Sequence, residues 1–322
     1  MKKTWWCGVG LVLASLASVI PAQAAWPSDA PIEVVVGFAP GGTTDVMVRV
    51  LAPYIARQLG DNANLIVVNR PGASGEIGVA QVKRAKADGY TVGIVNLPGY
   101  FFVPMHRKAS YSTKDLTLVA RVVSDPTVMV ARKDSKLTDM TQVMARLKAS
   151  PSSLSAGHNG MGTNGHLAMA RLEKAAQIHF NAIPYNGSAQ QKTALAGNQL
   201  DIAFLAASEV PDPDNEATPV RLVTQFTKNK VARLSSVPTT YELGLPVEMT
   251  AERGFAAPNG VSPQILARLQ SAIEAAMKNP DYIKAARNDA PFLSYLGGSD
   301  WDRQLEQDRK SYEEIARTLP KD

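Results

Sequence analysis

Apolar and polar positions follow two periods along this chain. Ile32, Val34, Val35, Val36 and Phe38 make a nearly continuous apolar run, the pattern of a strand buried on both faces of a parallel sheet. The run passes straight into Ala39-Pro40-Gly41-Gly42-Thr43-Thr44-Asp45, where a helix should begin. Thr44 is its expected N-cap, Asp45 its first-turn acid, and Val46, Val50, Leu51, Ile55 and Leu59 its apolar stripe before Gly60 ends it. Pro53 lies inside this helix and predicts a kink, because it removes the hydrogen bond to the carbonyl of Arg49.

The unit then repeats: a strand over 65–68, a turn over 69–75, a helix over 76–86, a turn at Asp88-Gly89, a strand over 90–95 and a loop over 96–99. Further strands are expected near 118–123, 127–131, 153–156, 179–183, 200–205, 219–224 and 253–257. Helices are expected near 139–149, 165–176, 188–196 and 262–277, the last begun by Pro263. A short helix should follow Asp281, and an amphipathic one should close the chain over 299–319. Strand–helix alternation of this kind predicts an α/β fold with mixed sheets flanked by helices. With 322 residues the chain exceeds what a single core usually holds, so two lobes are expected. The acidic, Pro-rich stretch Val210-Pro211-Asp212-Pro213-Asp214-Asn215-Glu216 reads as an exposed loop.

Composition narrows the function. At 45% hydrophobic and 20% charged the chain must fold, and its net charge of +5 is spread without a basic block, which gives no nucleic-acid footprint. The first 24 residues have the layout of a secretory signal peptide: Lys2 and Lys3, an apolar region over 5–20, and the cleavage site Ala22-Gln23-Ala24. Gly8, Gly10 and Pro21 interrupt the run too much for a membrane anchor, and Trp5 and Trp6 before Cys7 do not suit a lipoprotein site. Cleavage after Ala24 would remove the chain's one cysteine, leaving a periplasmic protein without disulfides, thiol chemistry or stable membrane insertion.

Five Gly-rich strand exits stand out: 38–45, 70–75, 96–100 with Asn96 at its start, 157–164, and 185–188. Such a turn presents free backbone N–H groups at the positive end of a helix, an anion site that needs no charged side chain. One such loop is ordinary turn geometry, whereas five in one α/β chain point to a binding cleft at the carboxyl ends of the strands. Rival chemistries lack their parts. Gly41-Gly42-Thr43-Thr44 has no P-loop Lys, no G-x-G-x-x-G follows a strand, and Ser74 sits in Gly72-Ala73-Ser74-Gly75 rather than a nucleophile elbow. His158 and His166 match no helical metal pair, and Asp45 with Arg49 reads as an i, i+4 ion pair. No metal, cofactor or enzymatic activity is expected.

These residues resemble a known family. F-A-P-G-G-T-T-D at 38–45, V-N-R-P-G-A-S-G-E at 68–76 and A-D-G-Y-T at 87–91 look like the extracytoplasmic solute receptors of tripartite tricarboxylate transporters, the Bug or TctC family. The similarity continues through G-M-G-T-N-G-H at 160–166, I-P-Y-N-G-S-A-Q at 183–190, L-A-G-N-Q-L-D at 195–201 and A-P-N-G-V-S-P at 257–263. It covers nearly the whole chain after residue 24.

The resemblance implies a type II periplasmic-binding-protein fold, a Venus flytrap whose two lobes close on a small organic anion, a mono- or dicarboxylate. It implies delivery of that ligand to membrane transporter subunits by a monomeric receptor. Carried over by position, the ligand contacts are Phe38, Ala39, Pro40, Gly41, Gly42, Thr43 and Asp45 in one lobe. In the other they are Gly162, Thr163, Asn164, His166, Asn186 and Gly187. Lobe 1 is expected over 26–123 and 226–322, and lobe 2 over 124–225. Three departures stand out: Val68 before Asn69, Arg253-Gly254-Phe255 in place of a Trp-x-Gly segment, and Ala206-Ala207-Ser208-Glu209 in place of an Asp-Asn helix start. The last puts Ala206 at the start of an atypical pocket wall. A sensory receptor with the same fold and ligand, feeding a sensor kinase, is the rival reading, and an extracytoplasmic enzyme a more distant one.

Overall fold

The computed structural model describes residues 26–60, 62–210 and 219–319. The expected signal peptide, its cleavage site and the acidic loop at 211–216 lie outside the described residues. Strand β1 (Ile32–Val36), helix α1 (Thr43–Leu59), β2 (Leu65–Asn69), α2 (Glu76–Arg84), β3 (Thr91–Leu97) and α3 (Gly99–His106) open the chain. There follow β4 (Leu116–Arg132), α4 (Met140–Ala149), β5 (Ser155–His158), α5 (Asn164–Ala176), β6 (Asn181–Pro184), α6 (Ser188–Ala196), β7 (Ile202–Ala206) and β8 (Val220–Gln225). The last elements are β9 (Thr250–Pro258), α7 (Pro263–Met277), α8 (Pro280–Ala285), β10 (Leu293–Gly297) and α9 (Gly298–Thr318).

The strands form one path, β2-β1-β3-β9-β4-β7-β5-β6, with β8 and β10 also paired to β4. β1 lies parallel between β2 and β3, with Val34 opposite Val67 and Val92, and its side chains are buried on both faces as the apolar run predicts. β5 likewise lies parallel between β6 and β7.

The spine is β4, which is one 17-residue strand where the sequence suggests two. Pro126 accounts for the difference. It has no N–H to give a ladder, yet it falls where β4 changes partners, from β9 over Leu116–Pro126 to β7 and β8 from Thr127 onward. The strand therefore crosses from one lobe to the other without breaking. After β8, Phe226 N–H bonds Thr127 O at 2.9 Å, Gln225 Nε2 donates to Leu234 O and Val237 O, and Met249 N–H reaches Phe226 O. Residues 226–249 thus stay on β8 and β4, and β9 makes the return crossing.

Two elements escape the sequence pattern. Helix α3 is buried along Gly99–Val103 and contains Pro104, so it shows no polar face from which a period could be read. β10 is a short edge strand of half-buried residues. At the start of α1 the cap is Gly42, not Thr44, and Val46 is 47% exposed. The buried stripe is instead Met47, Val48, Leu51, Ile55 and Leu59. Helix α9 ties the lobes together: Trp301 and Leu305 pack against β3 and β9, while Ala316 joins the second lobe's cluster and Ser311 accepts from Arg171 of α5 at 2.6 Å.

Candidate binding cleft

The carboxyl ends of β1, β3 and β7, the starts of α1, α5 and α6, and the crossing strand β9 border one cleft of about 140 Å³. Phe38, Ala39, Pro40, Gly42 and Thr43 line it from the first loop. Thr163, Asn164, Asn186 and Gly187 line it from the second lobe, Asn96 ends β3 there, and Ala206 ends β7 there. Asn96 Nδ2 donates to Thr44 Oγ1 at 2.8 Å, while its buried Oδ1 has no partner.

The other four residues carried over from the resemblance stand behind the loops rather than in the cleft lining. Asp45 is 2% exposed and accepts from Gly41 N–H at 2.8 Å, Arg49 Nε at 3.0 Å and Asn69 Nδ2 at 2.9 Å. Burial alone would raise its carboxyl, but these hydrogen bonds outweigh it and hold the group below its ordinary value. Asp45 is thus the post on which the first loop is wound. Gly41 sits at φ 76°, a conformation costly for any residue with a Cβ. Gly162, at φ 75°, gives its N–H to Nδ1 of His166 at 3.3 Å, and a Cβ there would lie 2.7 Å from the Phe102 ring. Burial, aided by His158 and His106, pushes His166 down to about 3, so it stays neutral and accepts that N–H.

Helices α1, α5 and α6 begin at the cleft after Gly42, Thr163 and Gly187, and none has a side-chain cap. Helices α4, α7 and α8 begin elsewhere and are capped by Asp139, Ser262 and Asn279, while α9, also away from the cleft, starts uncapped at Gly297, with Gly298 N–H donating to Gln270 Oε1 at 3.4 Å. The first N–H groups of a helix lack intrahelical acceptors, so three sets of free donors and three positive helix ends converge on the cleft. Such an arrangement suits an oxyanion.

Two charged residues of the lining were not among the expected contacts. Glu209 reaches across the lobes: its Oε1 accepts from Thr43 Oγ1 at 2.9 Å and its Oε2 from Ala206 N–H at 2.9 Å. Arg253 projects from β9 on the same face as Ala251, with Glu252 on the opposite face against α9. Its Nη2 donates to Asp125 Oδ2 at 2.8 Å, Asp289 Oδ1 at 3.1 Å and Ser208 Oγ at 3.3 Å. Burial pushes the Asp125 carboxyl up against the pull of Arg253. Both residues lie in segments where the sequence leaves the family pattern. The replacement of the family's Trp-x-Gly segment by Arg253-Gly254-Phe255 is the sequence signal that marks Arg253. Among the described residues no cluster of His, Cys, Asp or Glu could hold a metal, and no helix is long and apolar enough to cross a membrane.

Two α/β lobes sharing crossing strands, with uncapped helix starts facing the cleft between them, define a solute-binding protein. The model of the TctC family, the tripartite tricarboxylate transporter family receptors, matches residues 47–314, and the chain belongs to that family, whose members are periplasmic solute-binding receptors. A Cupriavidus necator protein, "UPF0065 protein in gbd 5'region", is 32% identical over 281 residues, covering 85% of this chain and 84% of that one. The Polaromonas TctC solute-binding protein, solved without ligand, is 26% identical with a TM-score of 0.70, over 92% of this chain and all of the other. Rpa4515 of R. palustris, solved with adipate, is 26% identical with a TM-score of 0.83, over 91% and 98% of the two chains.

Proposed function

We propose that this receptor captures a small carboxylate between its lobes, closes on it and hands it to the membrane subunits of a tripartite transporter. The observation that carries this reading is the convergence of three uncapped helix starts on one cleft. The carboxylate sits on backbone N–H groups at Gly42–Thr43, Thr163–Asn164 and Gly187, with Asn96, Asn186 and Ala206 as neighbours, and Gly41, Asp45, Gly162 and His166 holding the loops in shape. The receptor is exported by residues 1–24, cut after Ala24, and works in the periplasm as a monomer without cofactor, metal or covalent chemistry. Its second lobe runs from about 124 to 249, since residues 226–249 bond to β8 and β4. The adipate held by Rpa4515 supports the ligand class.

Calorimetry with matched acids, succinate and butyrate, malate and 3-hydroxybutyrate, adipate and hexanoate, tests this reading. At least one should bind, and scattering should show the radius of gyration fall, because a ligand touching both lobes favours the closed state. Binding of no acid in the panel, with no carboxylate retained in native mass spectra of the purified protein, overturns it. Backbone recognition also ranks the variants. Gly41→Val should weaken binding by more than about 10-fold, since φ 76° excludes a β-branched residue. Thr43→Val removes the hydrogen bond that its hydroxyl gives the Glu209 carboxylate, of the kind worth about 1.5–3 kcal/mol, and should weaken binding within that range. Arg70 donates to Gln81 Oε1 and lines no part of the cleft, so Arg70→Ala should leave affinity within about 3-fold. A loss confined to Arg70→Ala would replace backbone recognition with an arginine clamp.

A further inference from the structure

We propose that Arg253 is a second ligand anchor, which makes this receptor selective for ligands carrying two acidic groups. The inference rests on the reading of the cleft as a carboxylate site. Arg253 lines the cleft from β9 and is 3% exposed. Its Nη2 is fully engaged by Asp125, Asp289 and Ser208. Its Nε and Nη1 are buried as well and meet no acceptor in the protein. Those two nitrogens carry three N–H donors on a group that stays protonated at any ordinary pH. Buried donors left without an acceptor destabilise the folded protein, and native structures rarely keep them outside functional sites. A ligand oxygen at the cleft floor supplies the missing acceptor.

The surroundings decide what that oxygen belongs to. Among the described residues lining the cleft, Arg253 is the one cation and Glu209 the one anion. Both Glu209 oxygens already accept hydrogen bonds, from Thr43 and Ala206, so its wall repels a second acidic group and the floor receives it. Asp125 and Asp289 offset the charge of Arg253 and fix its orientation. Recognition therefore works through directed, charge-assisted N–H donors, for which a carboxylate is a much better acceptor than an amide or ester. The first carboxylate occupies the helix starts, and the second meets Nε or Nη1.

The test compares, within the same panel, the tightest-binding diacid with the monoacid of equal carbon count. Native protein should prefer the diacid by about 10-fold or more, as expected for a hydrogen bond between charged groups. Arg253→Lys keeps a cation facing Asp125 and Asp289 but removes Nε and Nη1, and should bring the ratio within about 3-fold. If the Lys variant does not fold, the triple variant Arg253→Gln, Asp125→Asn, Asp289→Asn removes the whole charge cluster and should give the same collapse. A native ratio within about 3-fold, or a ratio unchanged in a folded variant, overturns the role of Arg253 while leaving the carboxylate receptor intact. Binding of none of the acids by native protein instead removes the receptor reading and this inference together.

Discussion

Replacing Trp301 with Ala should lower the unfolding free energy by about 3–5 kcal/mol, the range for losing a large buried aromatic side chain. Trp301 is 0% exposed and lies under β9, where a Cβ on Gly254 would come within 2.6 Å of its ring. Its Nε1 donates to Glu252 Oε2 at 2.7 Å, and Glu252 Oε1 accepts from Arg121 at 2.6 Å. The truncation therefore opens a cavity beside the return crossing and takes one donor from a buried carboxylate. Trp301→Phe keeps most of the volume and should cost only about 1–3 kcal/mol, the value of the lost hydrogen bond and its desolvated acceptor. Guanidinium unfolding measures both. A loss below about 1 kcal/mol for Trp301→Ala would mean that α9 does not support the crossing strands.

Arg253→Met should be comparably severe, at about 3–5 kcal/mol, because it leaves Asp125 at 0% exposure and Asp289 at 7% without their cation. Burial already raises Asp125 above its ordinary 3.8, and losing Arg253 raises it further. A carboxyl whose folded value is raised contributes most at low pH, and that contribution is lost as pH climbs from about 4 toward neutrality. Native protein and variant share that loss, so the penalty of Arg253→Met should deepen only above about 7, where Asp125 ionises beside Arg253 but stays protonated without it, and adding Asp125→Asn should both reduce it and flatten its pH dependence. Urea unfolding of native protein and the single and double variants at about pH 6 and about pH 8.5 checks this, and a pH-independent penalty would refute the buried charge cluster as its cause.

The chain itself makes most of the fold legible. Ile32–Val36 is apolar on both faces and must be a central strand, while Pro263 at the first helical position announces α7, which the Ser262 side chain caps. The Gly-rich strand exits show where the loops of the cleft lie, because backbone that must turn sharply and approach a ligand closely leaves glycine in the sequence. Such signals are local: a period, a cap or a turn residue is written within a few positions and survives any tertiary context that is compatible with it.

What only the tertiary structure decides is pairing over long separations. Pro126 reads as a strand break, yet β4 runs through it because its partners change there, from Thr250 opposite Pro126 to Ala206 opposite Thr127, residues far away along the chain. Asp45 looks like a ligand contact in its motif, but Gly41, Arg49 and Asn69 consume its oxygens and turn it into the support of the loop. Arg253 looks like the partner of its neighbour Glu252 until Asp125, Ser208 and Asp289 are brought against one of its nitrogens and the other two are left unpaired. A residue's chemical type is set by the sequence, whereas the donors and acceptors it spends are set by which neighbours folding brings within hydrogen-bond reach.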